Sequence, residues 1–224
     1  MISKKEALLY STMPEHKALV RKTGGFIRWA LERVERPYVA CSFGKDSAVM
    51  LHLLLRQKQD IDVRFVRWEN ETENLGNYDE VIAKWGDINL TQVLLSRASI
   101  DSKVKGRFDV DGFDSYFIGF RMEEATARRI TLKTHGMFYK MKAGKIRISP
   151  LAEWKLRDIV AYCVSNELPT LDTYDKFGFE ERTASRIPRA DYGIREHSLR
   201  LLKEKDITKF NLIVSQFPEV ANYV

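Results

Sequence analysis

The chain has 224 residues, 44% hydrophobic and 30% charged, and its 37 Lys+Arg against 31 Asp+Glu leave a net charge of +6. That length suits one domain with a sizeable core, and the apolar fraction excludes a disordered chain. No apolar run reaches the ~18 residues of a membrane-spanning helix, and with only Cys41 and Cys163 present a disulfide framework, a four-cysteine zinc site and a four-cysteine iron–sulfur cluster are excluded within one chain. The first residues, MISKKEALLY, lack the apolar stretch of a secretory leader, so the expectation is a cytoplasmic protein.

In chain order, Leu19, Val20, Phe26, Ile27, Ala30, Leu31 and Val34 predict one or two helices before Pro37, with Gly24-Gly25 as a break. Tyr38–Cys41 reads as a short buried strand. A turn follows, and Val49, Met50, Leu53 and Leu54 mark one face of a helix running to about Arg56. Asp62–Trp68 predicts a second strand, Tyr78–Trp85 a helix, Thr91–Ser96 a third strand and Ser115–Phe120 a fourth. Residues 138–149 alternate on either side of Ala143-Gly144, the pattern of a β-hairpin. From Glu153 to about Leu168-Pro169 the chain is expected to be helical, as it is over 194–205 and 207–216. Strands alternating with helices imply an α/β fold, a Rossmann-like, mostly parallel sheet flanked by helices, with a helical C-terminal part. No linker interrupts it, so residues 1–224 read as a single domain, its core about 15–190 and its C-terminal helical segment about 191–224.

The charge is localised. Residues 121–147 carry eight Lys/Arg and two Glu, residues 181–205 seven basic and four acidic side chains, and residues 69–80 five carboxylates with no base. Such a basic cluster suits polyphosphate or sulfate as well as nucleic acid.

The most informative segment is Cys41-Ser-Phe-Gly-Lys-Asp-Ser47, between a buried strand and a helix. A helix start there presents unpaired backbone N–H groups and a positive dipole end to an anion. Gly44 is expected to supply an unusual backbone angle and close phosphate approach, Ser42 and Ser47 hydroxyl donors, Lys45 charge at the rim, and Asp46 a cap for the first helical turn. Neither the Walker A string nor G-x-G-x-x-G is present.

This string, SFGKDSAVMLHLL, resembles the PP-loop of the adenine nucleotide alpha-hydrolase superfamily, which includes ATP pyrophosphatases, ATP sulfurylase small subunits and PAPS reductases, and within it the PAPS reductase family. Three further stretches resemble the family in the expected order: Tyr116-Phe-Ile-Gly-Phe-Arg-Met-Glu-Glu124 with Arg128; Ser149-Pro-Leu-Ala-Glu-Trp154 with Asp158-Ile159-Val160 and Tyr162; and Asn166-Glu-Leu-Pro169 with Thr173-Tyr-Asp-Lys-Phe-Gly178. The likeness covers about residues 15–190.

It implies an adenine nucleotide, ATP or PAPS, held by Ser42, Phe43, Gly44, Lys45, Asp46, Ser47, Glu69, Gly119 and Arg121, with Lys45, Arg121 and Arg128 in the chemistry. Arg121 lies just past a strand end, where open α/β sheets bind ligands. Either arginine could grip phosphate or sulfate, pair with Glu123 and Glu124, or form a solvated face. Lys133, Lys140, Lys142 and Lys145 read mainly as surface lysines of the hairpin region. Glu69 could hold Mg²⁺ or a ribose hydroxyl, but Trp68-Glu-Asn-Glu-Thr72 departs from the family's Asp-Thr-Gly-like string. Trp154 reads as packing, and His52 and His197 as surface or satisfied histidines.

The family's reductases carry a C-terminal cysteine in an E-C-G-[IL]-H string. Asp191-Tyr-Gly-Ile-Arg-Glu-His197 aligns there with a tyrosine in its place, among Arg182, Arg186, Arg189 and Arg195. Cys41 and Cys163 both fall in apolar patterns that suit inert thiols. The expectation is therefore an enzyme acting at the α-phosphate of ATP or a related adenylate, with Mg²⁺ carried by the phosphates and no iron–sulfur cluster. Two alternatives stay open: PAPS reduction with an external thiol, and a non-catalytic nucleotide or nucleic-acid module. A separate GTPase or thiol-donor protein fits as partner, nucleic acid is compatible but not required, and no membrane is implied. Substrate, acceptor and oligomeric state are left open.

Overall fold

A computed structural model describes residues 2–68, 77–95, 112–142, 144–180 and 192–224. The expectations placed on Glu69, Arg182, Arg186 and Arg189 lie outside these residues, as does Asp191, and the side chains of Tyr192 and Arg195 are likewise not described.

Helix α1 (Lys4–Thr12) starts at a capping box in which the Glu6 N–H donates to Ser3 Oγ at 3.2 Å and the Ser3 N–H donates to the Glu6 carboxylate at 2.8 Å. Helix α2 (Pro14–Leu31) opens on a proline, which needs no N–H partner at that position. The expected break at Gly24-Gly25 does not occur. Both glycines lie inside α2, where Gln57 Nε2 donates to the Gly24 carbonyl at 3.0 Å and tertiary packing outweighs the glycines' low helix propensity. The break falls instead at Met13-Pro14.

Strand β1 (Pro37–Ala40) leads into α3 (Lys45–Leu55), followed by β2 (Asp62–Trp68), α4 (Tyr78–Lys84), β3 (Leu90–Leu95) and β4 (Ser115–Ile118). Helix α5 (Thr126–His135) was not expected from the sequence, because its basic face has only Leu132 buried. The hairpin β5 (Phe138–Lys140) and β6 (Ile146–Ile148) comes next, then α6 (Leu156–Ser165), α7 (Asp172–Phe177), α8 (Tyr192–Lys205), α9 (Ile207–Gln216) and a 3₁₀ turn over Pro218–Tyr223. Among the described residues no helix is long and apolar enough to cross a membrane.

The six strands run in the order β3-β2-β1-β4-β6-β5, all parallel except the β5–β6 pair. One sheet face presents Val39, Val63, Phe65, Phe117 and Ile148 to a core shared with α2, α3 and α6. Eight of the eleven α3 residues are buried, which explains why its pattern is apolar nearly all round. The opposite face carries Tyr38, Tyr116 and Ile118, with Phe113, Phe120 and Met141 against them. A small separate cluster, Phe177, Leu199, Leu202, Phe210 and Ile213, joins α7, α8 and α9.

Trp154 is packing, as its sequence context indicated. It is 1% exposed, donates through Nε1 to Thr23 at 2.8 Å, and meets His16 edge-on. Beside it, Asp158 accepts from the Lys155 N–H at 2.7 Å and from Tyr10 Oη at 2.8 Å, which pins α1 against α6. Burial raises the Asp158 pKa, but the hydrogen bonds from His16, Lys155 and Tyr10 outweigh it, and the net shift is downward.

Candidate active site

Strand β1 neighbours β2 on one side and β4 on the other, and β3 extends beyond β2. The order of the strands therefore reverses between β1 and β4. Past their C-terminal ends, where open α/β sheets bind ligands, lies a cavity of about 430 Å³. Ala40, Cys41 and Ser42 line it from the end of β1, Asp46 and Ser47 from α3, and Arg64 and Val66 from β2. Ile118, Gly119, Phe120 and Glu124 line it from β4 and the following turn, and Arg128 from α5.

The 41–47 loop is tied to itself. The Ser42 N–H donates to Ser47 Oγ at 3.2 Å, Ser47 Oγ donates to the Gly44 carbonyl at 3.0 Å, and the two serine hydroxyls lie 3.1 Å apart. Ser42 is exposed at the cavity while Ser47 is buried. Two expectations for the loop are corrected here. Gly44 has an ordinary φ of −73°, and the left-handed residue is Phe43, with φ of 52°. Phe43 holds that conformation because its ring is fully buried edge-on against Phe65, 5.2 Å away. The helix start is capped by Gly44 without a side-chain hydrogen bond, so Asp46 does not serve as the cap.

Asp46 turns instead to Arg121, whose Nε donates to it at 2.5 Å, while Lys45 Nζ stands 3.5 Å from its other oxygen. Arg121 also donates through Nη1 to Glu123 at 2.8 Å, and Glu123 takes the Leu156 N–H at 2.6 Å. One polar network thus joins the loop, the turn after β4 and the start of α6, which are three of the stretches singled out in the sequence. Lys45 and Arg121 are each only 3% exposed. Lys45 is consequently not a rim residue, and neither side chain lines the cavity. Asp46, which does line the cavity, stands between them and it.

Tyr174 of α7 closes the back of the loop. Its hydroxyl accepts the Lys45 N–H at 3.0 Å and its ring lies 5.4 Å from Lys45 Nζ. Burial raises its pKa strongly. The sequence offered Tyr174 only as part of the Thr173–Gly178 likeness. Arg64 was likewise missed, and the signal available was a charged residue inside an otherwise apolar strand. On the open side Arg128 pairs with Glu124 and stacks on Phe120, its guanidinium 4.3 Å from the ring.

Gly119 is tightly enclosed where it stands. A Cβ there would lie 3.1 Å from the backbone carbon and oxygen of Asp46 and 3.2 Å from the Ser47 nitrogen. Lys133, Lys140 and Lys142 are exposed and outside the cavity, and Lys145 donates to the Phe113 carbonyl at 2.6 Å. His52 is satisfied by Tyr162 Oη at 3.0 Å, and His197 is exposed. Both cysteines are buried. Burial pushes the Cys41 thiol up to about 11 and the Cys163 thiol further, with Asp46 adding to the second shift. Among the described residues no three His, Cys, Asp or Glu side chains gather as a metal-ligand set.

Known proteins share this fold. A PAPS reductase from Candida auris superposes with a TM-score of 0.52 at 18% identity, covering 78% of this chain and 92% of that one. A U34-tRNA thiolase from Methanococcus maripaludis gives 0.50 at 17% identity, covering 92% of this chain and 79% of its own. At these identities the likeness is one of fold alone, a mostly parallel α/β sheet flanked by helices. Residues 36–111 match the phosphoadenosine phosphosulfate reductase domain model. The phosphoadenosine 5′-phosphosulfate reductase of Xylella fastidiosa is 29% identical over 63% of this chain and 68% of its own length, and that of Alkalilimnicola ehrlichii 27% identical over 64% and 67%. By the domain model and these relatives, the chain is similar to the PAPS reductase family.

Proposed function

We propose that the cavity takes an adenine nucleotide whose 5′-phosphate end lies against residues 42–47, and that the protein is an enzyme acting at the α-phosphate of ATP or a related adenylate. The observation that carries this reading is the position of the serine-lined helix start at the strand-order reversal, in a cavity of nucleotide size. Ser42, Ser47 and the first-turn N–H groups of α3 would hold phosphate oxygens, and Gly119 would let the backbone approach them. Phe43, Gly44 and Asp46 would act through loop shape. Arg64 and Arg128 would neutralise charge developing on the leaving group, an electrostatic contribution to catalysis. Lys45 and Arg121 would keep Asp46 and the loop in place and add field from behind. Glu69 keeps its proposed part at the ribose or metal.

The carboxylates lining the cavity, Asp46 and Glu124, each already meet an arginine. That fits a Mg²⁺ carried in by the phosphates better than one held by the protein. A second reading is favoured by the relatives, which are named PAPS reductases: reduction of PAPS to sulfite and adenosine 3′,5′-bisphosphate, with two thiols of a donor protein becoming a disulfide. The donor must supply both thiols, since Cys41 and Cys163 are buried with raised pKa values.

One assay separates the readings. The protein is incubated with ATP and Mg²⁺, or with PAPS and a dithiol donor, and pyrophosphate and sulfite are measured. Pyrophosphate from ATP supports the first reading and sulfite from PAPS the second. In calorimetry Ser42→Ala/Ser47→Ala is expected to bind the preferred nucleotide at least about tenfold more weakly, the loss of one or two charge-assisted hydrogen bonds. Unchanged binding, or none by the parent, overturns both.

A further inference from the structure

Residues 125–147 hold seven Lys/Arg and no Asp or Glu, and they form α5 and the β5–β6 hairpin. From the cavity wall outward, planar side chains follow one another through this segment. The Arg128 guanidinium lies 4.3 Å from the Phe120 ring, and Arg147 lies 5.2 Å from the other side chain's partner, that same Phe120 ring. Arg147 is also 4.5 Å from the Tyr139 ring, which stacks on His135 at 4.8 Å and 22°. The series begins at a residue of the cavity and ends at an exposed histidine. Lys133, Lys140 and Lys142 stand exposed around its outer end.

A lysine on an edge strand has an ordinary use, since it discourages pairing with another sheet. Strand β5, three residues long, sits at that edge, and Lys140 serves this purpose. Edge protection does not require cations and aromatic rings in series. Those are the components with which proteins hold single-stranded nucleic acid: bases stack on aromatic or guanidinium planes while lysines track the phosphates. The geometry points to a single-stranded nucleic-acid docking strip along α5 and the β5–β6 hairpin, leading to the mouth of the cavity. Duplex is the poorer fit, because its bases are already stacked on each other and offer the strip only phosphates.

The strip is independent of which nucleotide the cavity binds, and its test is separate. Anisotropy of a labelled single-stranded RNA, the same sequence as single-stranded DNA, and the corresponding duplex is measured against salt concentration with the full chain. Both single strands are expected to bind more tightly than the duplex, and a preference for either one identifies the natural source. Lys133→Glu/Lys140→Glu/Lys142→Glu should weaken single-strand binding at least about tenfold and reduce the salt slope by about 2, at roughly 0.7 per phosphate contact. Tyr139→Leu should weaken binding about fivefold or more through lost stacking, with the salt slope unchanged. ATP or PAPS binding by the triple variant should match the parent, which shows that the fold is intact. The inference is overturned if the parent fails to bind single strands at low salt, or if the triple variant binds them as the parent does. Duplex binding as tight as single-strand binding, with Tyr139→Leu silent, overturns it as well.

Discussion

Arg121 and Arg128 stand seven residues apart in one sequence stretch and look alike in it, yet they occupy opposite sides of the loop. Arg121 is 3% exposed, held among Asp46, Glu123 and the Trp154 carbonyl. Arg128 lines the cavity, with its side chain 29% exposed. The rear of the loop, with Lys45, Asp46, Arg121 and Tyr174, is a closed arrangement in which charges answer one another. The front, with Ser42, Arg64 and Arg128, faces open space. The difference teaches that an arginine beside such a loop can serve by fixing the loop, and that the positive charge facing the cavity comes from neighbouring elements.

The comparison can be broken most forcefully from the rear. Arg121→Ala leaves Asp46 with Lys45 alone and Glu123 with only the Leu156 N–H. Removing one member of a buried ion pair costs about 3–5 kcal/mol, so urea denaturation should show a loss of that size. Adding Asp46→Ala should recover part of it, because the two effects are coupled. A loss under about 1 kcal/mol would place Arg121 with the surface pairs instead. The front should respond in the opposite sense. Arg128→Gln is expected to lower nucleotide affinity about tenfold, about 1.4 kcal/mol, while stability changes by less than about 1 kcal/mol, since a glutamine amide can still donate to Glu124. Calorimetry and thermal melting on the same preparation read both.

The smallest effect comes from further back. Asp158 has a lowered pKa in the fold, so its contribution is fully present above the unfolded carboxylate value of about 3.9 and is lost as pH falls through the folded value. Acid unfolding should therefore steepen below about pH 4, and Asp158→Asn should flatten that part of the profile while leaving the nucleotide site untouched. An identical acid limb in the variant would remove Asp158 from the account.

Much of this was legible in the sequence. The β1–loop–α3 unit, β2, α4, β3, β4, the hairpin, α6 and α9 follow from apolar periodicity, with ends shifted by only a few residues. Helix α5 was hidden because a basic, exposed helix has almost no apolar stripe to betray it. Gly24-Gly25 misled because the propensity of two glycines is weaker than the packing of a buried helix. The loop residues named together do lie together at the start of α3, but their geometry there differs from what the sequence suggested for Gly44, Lys45 and Asp46. Which residue takes the left-handed angle depends on where the Phe43 ring finds a pocket. Whether Lys45 and Arg121 reach the cavity depends on Asp46 and Glu123, partners that sequence order does not pair.

Gly119 carries a consequence of another kind. The turn after β4 and the first turn of α3 approach so closely there that a single methyl group exceeds the clearance, and both surfaces in contact are backbone, which has no rotamer by which to yield. The β4 turn and the start of α3 are thus gauged against each other there. Any side chain larger than hydrogen would act as a spacer, levering the β4 wall of the cavity away from the serine wall and changing the width of the site with no alteration to a group that touches ligand.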